Sequence, residues 1–294
     1  MNDNENTITL VTKFSPLVDE RFATESKTSL VVNKDFDFIG TKSIKIYSVD
    51  TAEMNDYGRN TAMGTGEGEV LSRYGTIKDL SNTTQEVTME KDRSFTFVID
   101  KMDEDETLGA LNAGSALARQ LREVIIPEVD KYTFGKMATN AGKTEIETIG
   151  DGQGEVGAYE SILKGTEYFD EKYVPVDGRV VSATPKFYTE LKKDKQAVLE
   201  TEIGQDMRIR GVVSNMDGVV IQKVPSTLMP EGINYILSHR VATTQAIKLA
   251  EYKVHNNVPF VSGSLVEGRI YYTAFVRNNK KDALYVSTEG SISL

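Results

Sequence analysis

An α+β fold follows from three features of the sequence. Segments 43–49 and 85–100 alternate apolar and polar side chains, one long helical stripe follows Asp103, and short strands mix with helices from 143 onward.

Segment 1–33 carries scattered apolar residues (Ile8, Leu10, Val11, Phe14, Val18, then Leu30, Val31 and Val32), with Pro16 interrupting any helical stripe. It predicts an extended arm with one short helix near residues 18–23. Such an arm has no core of its own and is expected to lie on something else. In 43–49, Ile44, Ile46, Tyr47 and Val49 stand among polar residues; in 85–100, Phe95, Phe97 and Ile99 follow strict period two. Between them, 50–82 is polar and carries Gly58, Gly64, Gly66, Gly68 and Gly75. It far exceeds the usual loop of about 4–6 residues, and long loops of this kind are commonly functional. With its flanking strands it predicts a long hairpin.

The period then changes. Leu108, Leu111, Leu117, Leu121, Val124 and Ile125 fit one helix face, the acids at 103–106 stand where a helix dipole favours negative charge, and Arg119 and Arg122 come later. Pro127 predicts a kink near Glu123 rather than an end. The stripe resumes through Val129, Tyr132, Phe134 and Met137 until Asn140-Ala141-Gly142, which makes a helix of about thirty residues against a mean of about twelve. Further on, 158–169 has helical spacing and 179–183 is a short apolar strand. Thr184-Pro185 reads as an N-cap with proline at the first helical position. Strands are expected at 218–224, 235–238, 246–253 and 270–277, with no internal repeat.

Composition narrows the chemistry. Hydrophobic residues are 39% and charged residues 27%, as in a globular protein. No apolar run is long enough for a membrane span. The start, Met1-Asn2-Asp3-Asn4-Glu5-Asn6, lacks a secretion signal, so the chain is expected to stay where it is made. The absence of cysteine excludes disulfides and thiol catalysis, and the two histidines, His239 and His255, stand at no metal-ligand spacing. A net charge of -10 gives no general attraction to nucleic acid, although it is compatible with enclosing it.

Individual motifs have plain readings. Gly152-Gln153-Gly154-Glu155-Val156-Gly157 has G-x-G-x-x-G spacing, but the preceding 143–149 is polar and Glu155 would face a pyrophosphate, so the glycines suit a turn. The acids from Asp100 to Glu106 lack the glycine and spaced acid of a calcium loop. Asn82-Thr83-Thr84 matches a glycosylation sequon without a secretion signal beside it. There is no G-x-S-x-G serine and no Walker A sequence. No catalytic, cofactor-binding or metal residue is assigned, and a non-enzymatic role is expected.

The order of parts carries a resemblance. An arm, a strand-flanked loop, a long helix, a mixed lobe and late strands together resemble the Hong Kong 97-type major capsid protein of tailed bacteriophages. Ser94-Phe95-Thr96-Phe97-Val98-Ile99-Asp100-Lys101-Met102-Asp103 is similar to the strand-to-spine-helix junction of that family. Ala183-Thr184-Pro185-Lys186-Phe187-Tyr188 resembles the strand-to-helix entry of its axial domain, and 246–252 and 265–277 resemble its late peripheral strands. The resemblance implies an arm (1–33), peripheral-domain strands with an extended E-loop (34–100, loop about 50–82), a spine helix (101–142), an axial domain (143–242), and peripheral strands with a C-terminal segment (243–294). It implies inter-subunit contacts on the E-loop at Tyr57, Arg59, Gly64, Gly66 and Gly68, and a spine built on Leu117, Leu121, Ile125 and Pro127.

The function so implied is self-assembly, through hexamers and pentamers, into an icosahedral head that encloses double-stranded DNA without reading its sequence. No cofactor and no membrane are involved. The implied partners are other copies, a scaffold, a portal and decoration proteins, and the implied location is the virion capsid, assembled in the host cytoplasm. Some family members begin with a charged helical scaffolding segment; here the arm begins near Met1, so a separate scaffold or a mature form is expected. Lys42, Lys45 and Lys78 flank the loop, but no Lys–Asn crosslinking pair is identified. The rival within the fold is an encapsulin-like compartment shell; outside it, a nucleotide-binding enzyme using the Gly152–Gly157 loop.

Overall fold

A computed structural model of the chain describes residues 26–36, 42–49, 51–59, 73–74, 79–106, 112–194, 215–216, 218–256, 258–259 and 262–293. They fall into two units, Lys42–Thr88 and the remainder. In the smaller unit β1 (Ser43–Val49) pairs antiparallel with β2 (Asn82–Thr88), in register from Ser43 opposite Thr88 to Val49 opposite Asn82. The short helix expected near 18–23 lies outside the described residues.

The larger unit continues with β3 (Lys91–Asp100), α1 (Lys101–Glu106), α2 (Ala113–Gln120), a π-helical segment (Leu121–Ile125) and α3 (Ile126–Thr139). Then come β4 (Lys143–Ile146), α4 (Ala158–Glu171), β5 (Arg179–Ala183), α5 (Pro185–Lys193), β6 (Asn215–Met216) and β7 (Val219–Lys223). The last strands are β8 (Glu231–His239), β9 (Thr243–His255), β10 (Gly263–Val276) and β11 (Leu284–Ser293). They build two sheets, one ordered β3-β10-β9 and one ordered β4-β11-β8-β5-β7-β6.

The three-stranded sheet is antiparallel, and one of its faces is covered by the long helix. Leu117, Leu121, Ile125 and Val129 meet Tyr252, Val266, Ile270 and Tyr272, with Phe95 and Phe97 closing the edge. A Cβ at Gly268 would run into the Phe95 ring, so glycine there lets Phe95 and Tyr252 stack at 6.1 Å across β10. Two expectations change. The acids at 103–106 belong to the separate short helix α1, and the long helix starts at Asn112, whose side chain accepts the Gly114 N–H. Leu108 and Leu111 lie outside the described residues. Pro127 does not end the helix, as expected; near Glu123, where a kink is expected, the backbone widens into the π segment, where Ile126 N–H donates to Leu121 O five residues back. The wider turn makes room where the proline ring would crowd the Glu123 carbonyl, and keeps Leu121 and Ile125 on one face. Val124, expected on that face, is exposed.

The six-stranded sheet is mixed. β5 runs parallel to β7 and β4 parallel to β11, with antiparallel pairs elsewhere. Ile162 and Phe169 of α4 and Phe187 and Leu191 of α5 pack on Val181, Tyr235, Leu237 and Tyr285. Thr184 caps α5 by accepting from Phe187 N–H, with Pro185 at the first helical position. Gly142 donates its N–H to Lys281 O and Leu284 O, an approach too close for any side chain, and so ties the end of α3 to β11. β11, in the segment assigned by resemblance to the peripheral strands, lies instead between β4 and β8. Its Leu284–Thr288 stretch is wholly buried.

The described end of the arm, residues 26–33, also departs from expectation, because it belongs to this chain's own core. Val31 and Val32 join the cluster of Phe134, Met137 and Ala138 from α3. Asp130, 1% exposed, draws the arm in. Its carboxylate accepts from Ser26 Oγ (2.6 Å), Lys27 N–H (2.7 Å) and Thr28 Oγ1 (2.8 Å). A buried carboxylate needs donors, and the arm supplies them.

Truncating Leu121→Ala should cost about 3 kcal/mol of unfolding free energy in a urea titration of the unassembled chain, through the cavity left under the sheet. Asp130→Ala should cost about 2 kcal/mol and open residues 26–33 to limited proteolysis, because three donors lose their acceptor. Burial raises the Asp130 pKa above its ordinary value, against the opposing hydrogen bonds from Ser26, Lys27 and Thr28. The folded state therefore binds the proton more tightly. The stability linked to that proton is fully present below the unfolded value near 3.9 and is lost as pH rises through the folded value. Wild type should accordingly lose unfolding free energy relative to Asp130→Asn between about pH 4 and neutrality.

Candidate interaction surfaces

Strand alternation divides the β1–β2 hairpin into two faces. Ile44 opposite Val87 and Ile46 opposite Gln85 share one; Lys45 opposite Glu86, Tyr47 opposite Thr84 and Val49 opposite Asn82 share the other. On this second face Tyr47 and Val49 are each 67% exposed. The ribbon extends past the strands. Gly58 N–H donates to Arg73 O at 2.9 Å, Asn55 Nδ2 donates to Tyr74 O at 3.3 Å, and the Tyr57 and Tyr74 rings meet edge to face at 5.0 Å. Met54, Tyr57, Tyr74 and Leu80 are exposed. Of the residues expected from resemblance to carry contacts, Tyr57 and Arg59 thus lie on this ribbon. Gly64, Gly66 and Gly68 lie outside the described residues.

The expected spine residues come together elsewhere. Leu117, Leu121 and Ile125 are buried against the three-stranded sheet, while Pro127, one residue into α3, is half-buried. Charged straps hold the edge of this layer. Glu90 accepts from Tyr132 Oη (2.7 Å) and Lys136 Nζ (3.0 Å). Burial works to raise the Glu90 pKa, but these two hydrogen bonds hold it below the ordinary carboxylate value. On the opposite face of the sheet Arg269 grips Asp92 through two bonds of 2.8 and 2.5 Å, and that hydrogen bonding lowers the Asp92 pKa.

The remaining polar groups are bonded for structure. In the Gly152–Gly157 turn the Gly152 N–H donates to Glu155 Oε2 at 2.7 Å, so the chain's own carboxylate takes the place a phosphate would need. His239 Nε2 donates to Asp177 O at 2.9 Å while its Nδ1 accepts the Val241 N–H. Burial lowers the His239 pKa, which keeps the ring neutral. His255 pairs with Glu267 at 2.9 Å on the surface. Among the described residues no three His, Asp or Glu side chains are grouped as metal ligands, and no described helix is long and apolar enough to cross a membrane.

Several structurally decisive residues carry no local signal. Asp130 meets partners more than a hundred positions away. Glu147, buried, accepts from Ser161 Oγ and from Ser287 Oγ (2.7 Å). Arg179, 1% exposed, bonds Asp170 Oδ1 and Val174 O, each at 2.6 Å. Long-range pairing reveals Asp130 and Glu147, whereas Arg179 closes a local turn through Asp170 and Val174.

No protein-family model matches the sequence, and no curated protein matches it. Solved structures do. A chain in the capsid structure of cyanophage P-SCSP1u aligns with a TM-score of 0.68 at 12% identity, over 90% of this chain and 87% of that one. A chain from Mycobacterium phage Che8 aligns with a TM-score of 0.65 at 17% identity, over 88% and 90%. A chain of the virus-like particle from Pyrococcus furiosus aligns with a TM-score of 0.54 at 9% identity, over 95% and 100%. At such identities the likeness is one of fold, and it spans nearly the whole chain. The chain has the α+β fold found in phage capsids.

Proposed function

We propose that this chain is a major capsid protein whose copies assemble, through hexamers and pentamers, into the icosahedral head enclosing phage double-stranded DNA. The observation that carries the reading is the β1–β2 ribbon, which leaves Tyr47, Val49, Met54, Tyr57, Tyr74 and Leu80 exposed on a chain with a capsid fold. Large apolar side chains concentrated on one two-stranded element mark a contact surface for another molecule. In this reading the ribbon lies across neighbouring copies. The three-stranded sheet with its helix is the peripheral part, and the six-stranded sheet is the axial part. Scaffold, portal and decoration proteins complete the head, which is built in the host cytoplasm and ends as the virion shell.

A chain with net charge -10 fits a wall that encloses DNA without adhering to it. A compartment shell around protein cargo is the rival reading within this fold. Nuclease treatment of purified particles separates the two: protected DNA supports a head, and protected protein cargo supports a compartment.

Expressed with its own genome's assembly factors, the full chain should form closed shells by electron microscopy, and deletion of residues 60–68 should abolish them. Closed shells of normal size from the deletion variant would remove the ribbon from assembly. Tyr47→Ala and Val49→Ala should shift unfolding of the unassembled chain by less than about 0.5 kcal/mol, as exposed positions do, while lowering shell yield.

A further inference from the structure

Edge strand β4 of the six-stranded sheet and the end of β7 beyond its pairing with the two-residue edge strand β6 match each other in level and in charge. Following the pairings across the sheet, Glu145 on β4 stands opposite Ser287, Ser287 opposite Tyr235, Tyr235 opposite Ala183, and Ala183 opposite Lys223 on β7. Glu145 and Lys223 are therefore the two ends of one cross-strand row, about 19 Å apart at four strand spacings. β4 and β7 also run in the same direction, since each relation in the chain of pairings is defined as parallel or antiparallel. Copies set side by side with their strands aligned bring the β4 edge of one against the β6–β7 side of the next, where β6 pairs only Val219 and Val220 of β7 and the acid and the lysine stand at the same height. Such a head-to-tail contact closes into a ring when the rotation between copies divides a full turn.

Among the described residues the lysine end is electrostatically unfinished. Lys223 Nζ lies 4.6 Å from the centre of the Tyr188 ring, and Lys192 Nζ lies 4.9 Å from the same ring. Both side chains are exposed, and neither forms an ion pair with an acid among the described residues. Two ammonium groups drawn to one aromatic ring repel each other, and a carboxylate between them relieves that repulsion. At the other end, among the described residues Glu145 is held by an exposed pairing with Lys143 at 3.3 Å, a contact of the kind that contributes little by itself. Its neighbour Ile146 is 66% exposed on the same edge strand, which supplies apolar area beside the charge.

We infer that the Tyr188-backed lysine pair, Lys192 and Lys223, is a docking site for the Glu145 edge of a second copy of this chain. The inference rests on the reading of the chain as a self-assembling shell subunit and names the contact that joins copies around a ring. The experiment is a charge exchange in the full chain, read as the protein concentration at which particles appear by light scattering and sedimentation. Lys223→Glu and Glu145→Lys are each expected to raise that threshold at least tenfold, and the double variant is expected to return it to within about threefold of wild type. Raising salt from about 50 to 500 mM should raise the wild-type threshold more than that of either single variant.

Circular dichroism of the unassembled chains establishes that each variant folds, and Lys223→Gln with Glu145→Gln provides a milder pair should either reversal fail that check. Singles that assemble like wild type, or a double variant no better than the singles, overturn the docking site and leave the shell reading intact. Loss of co-purifying DNA in Lys223→Glu without rescue by Glu145→Lys overturns it in favour of phosphate as the anion. Failure of the wild-type chain to form any particle with its genome's assembly factors present overturns the shell reading and this contact together.

Discussion

One helical rod serves two hydrophobic cores, and the layout of the larger unit depends on it. Its first half places Leu117, Leu121, Ile125 and Val129 on the three-stranded sheet, and its last turns place Phe134, Met137 and Ala138 in the core of the six-stranded sheet. An uninterrupted helix of this kind fixes the distance between the layers at about 1.5 Å per residue. That explains why Pro127 is absorbed by a π turn rather than by a break. A break would separate the cores, whereas a widened turn keeps Leu121 and Ile125 facing the sheet and continues the rod. The β9–β10 pair spans the same two cores, with Tyr252 and Ile270 in one and Val276 in the other.

Asp130 stands where the rod passes from one core to the next, between Val129 and Phe134. Its carboxylate would be a liability there without donors. The arm supplies three, and in the same few residues contributes Val31 and Val32 to one core and pairs Asn33 with Thr244 on β9. A second buried carboxylate plays the matching part in the six-stranded sheet. Glu147 accepts from Ser161 on α4 and Ser287 on β11, and its backbone carbonyl accepts from Asn234 on β8. β4 has only four residues and too few ladder bonds to hold its place alone, so this polar knot sets its register. Arg179 does the same for the turn between α4 and β5, with its guanidinium 5.6 Å from the Phe169 ring.

Elements governed by local pattern were legible in the sequence. Strict alternation marked β1 and β3, and the leucine stripe marked the rod. Thr184-Pro185 marked the start of α5, because a cap and a proline at the first position are purely local chemistry. What stayed hidden depends on distant partners. β11 opens Leu284-Tyr285-Val286-Ser287-Thr288, which looks half-polar; that stretch is buried, and its Ser287 and Thr288 bond Glu147 and the Gly232 carbonyl. The acids at 103–106 pointed to a helix start and mark one, but of α1; the cap of the long helix is Asn112, one residue in a stretch rich in equally good candidates. The arm looked free because nothing near Ser26, Lys27 or Thr28 announces a carboxylate a hundred residues away.

The ribbon was legible for the opposite reason: its sequence leaves large apolar side chains without cover in a single chain. An isolated two-stranded ribbon is marginally stable in water, and cross-strand pairs contribute only about 0.2–1 kcal/mol each. Tyr47 and Val49 add little while they face solvent. Many modest contacts of this kind, repeated around a closed shell, can hold where any one of them would fail. Such a fold constrains a sequence through period, volume and burial rather than through particular reactive groups, and many residues satisfy those demands equally well. That is why structures only 9–17% identical retain the fold over about nine-tenths of this chain, although no family model recognises the sequence. A rod, two sheets and a ribbon require only that the apolar residues fall on the right faces.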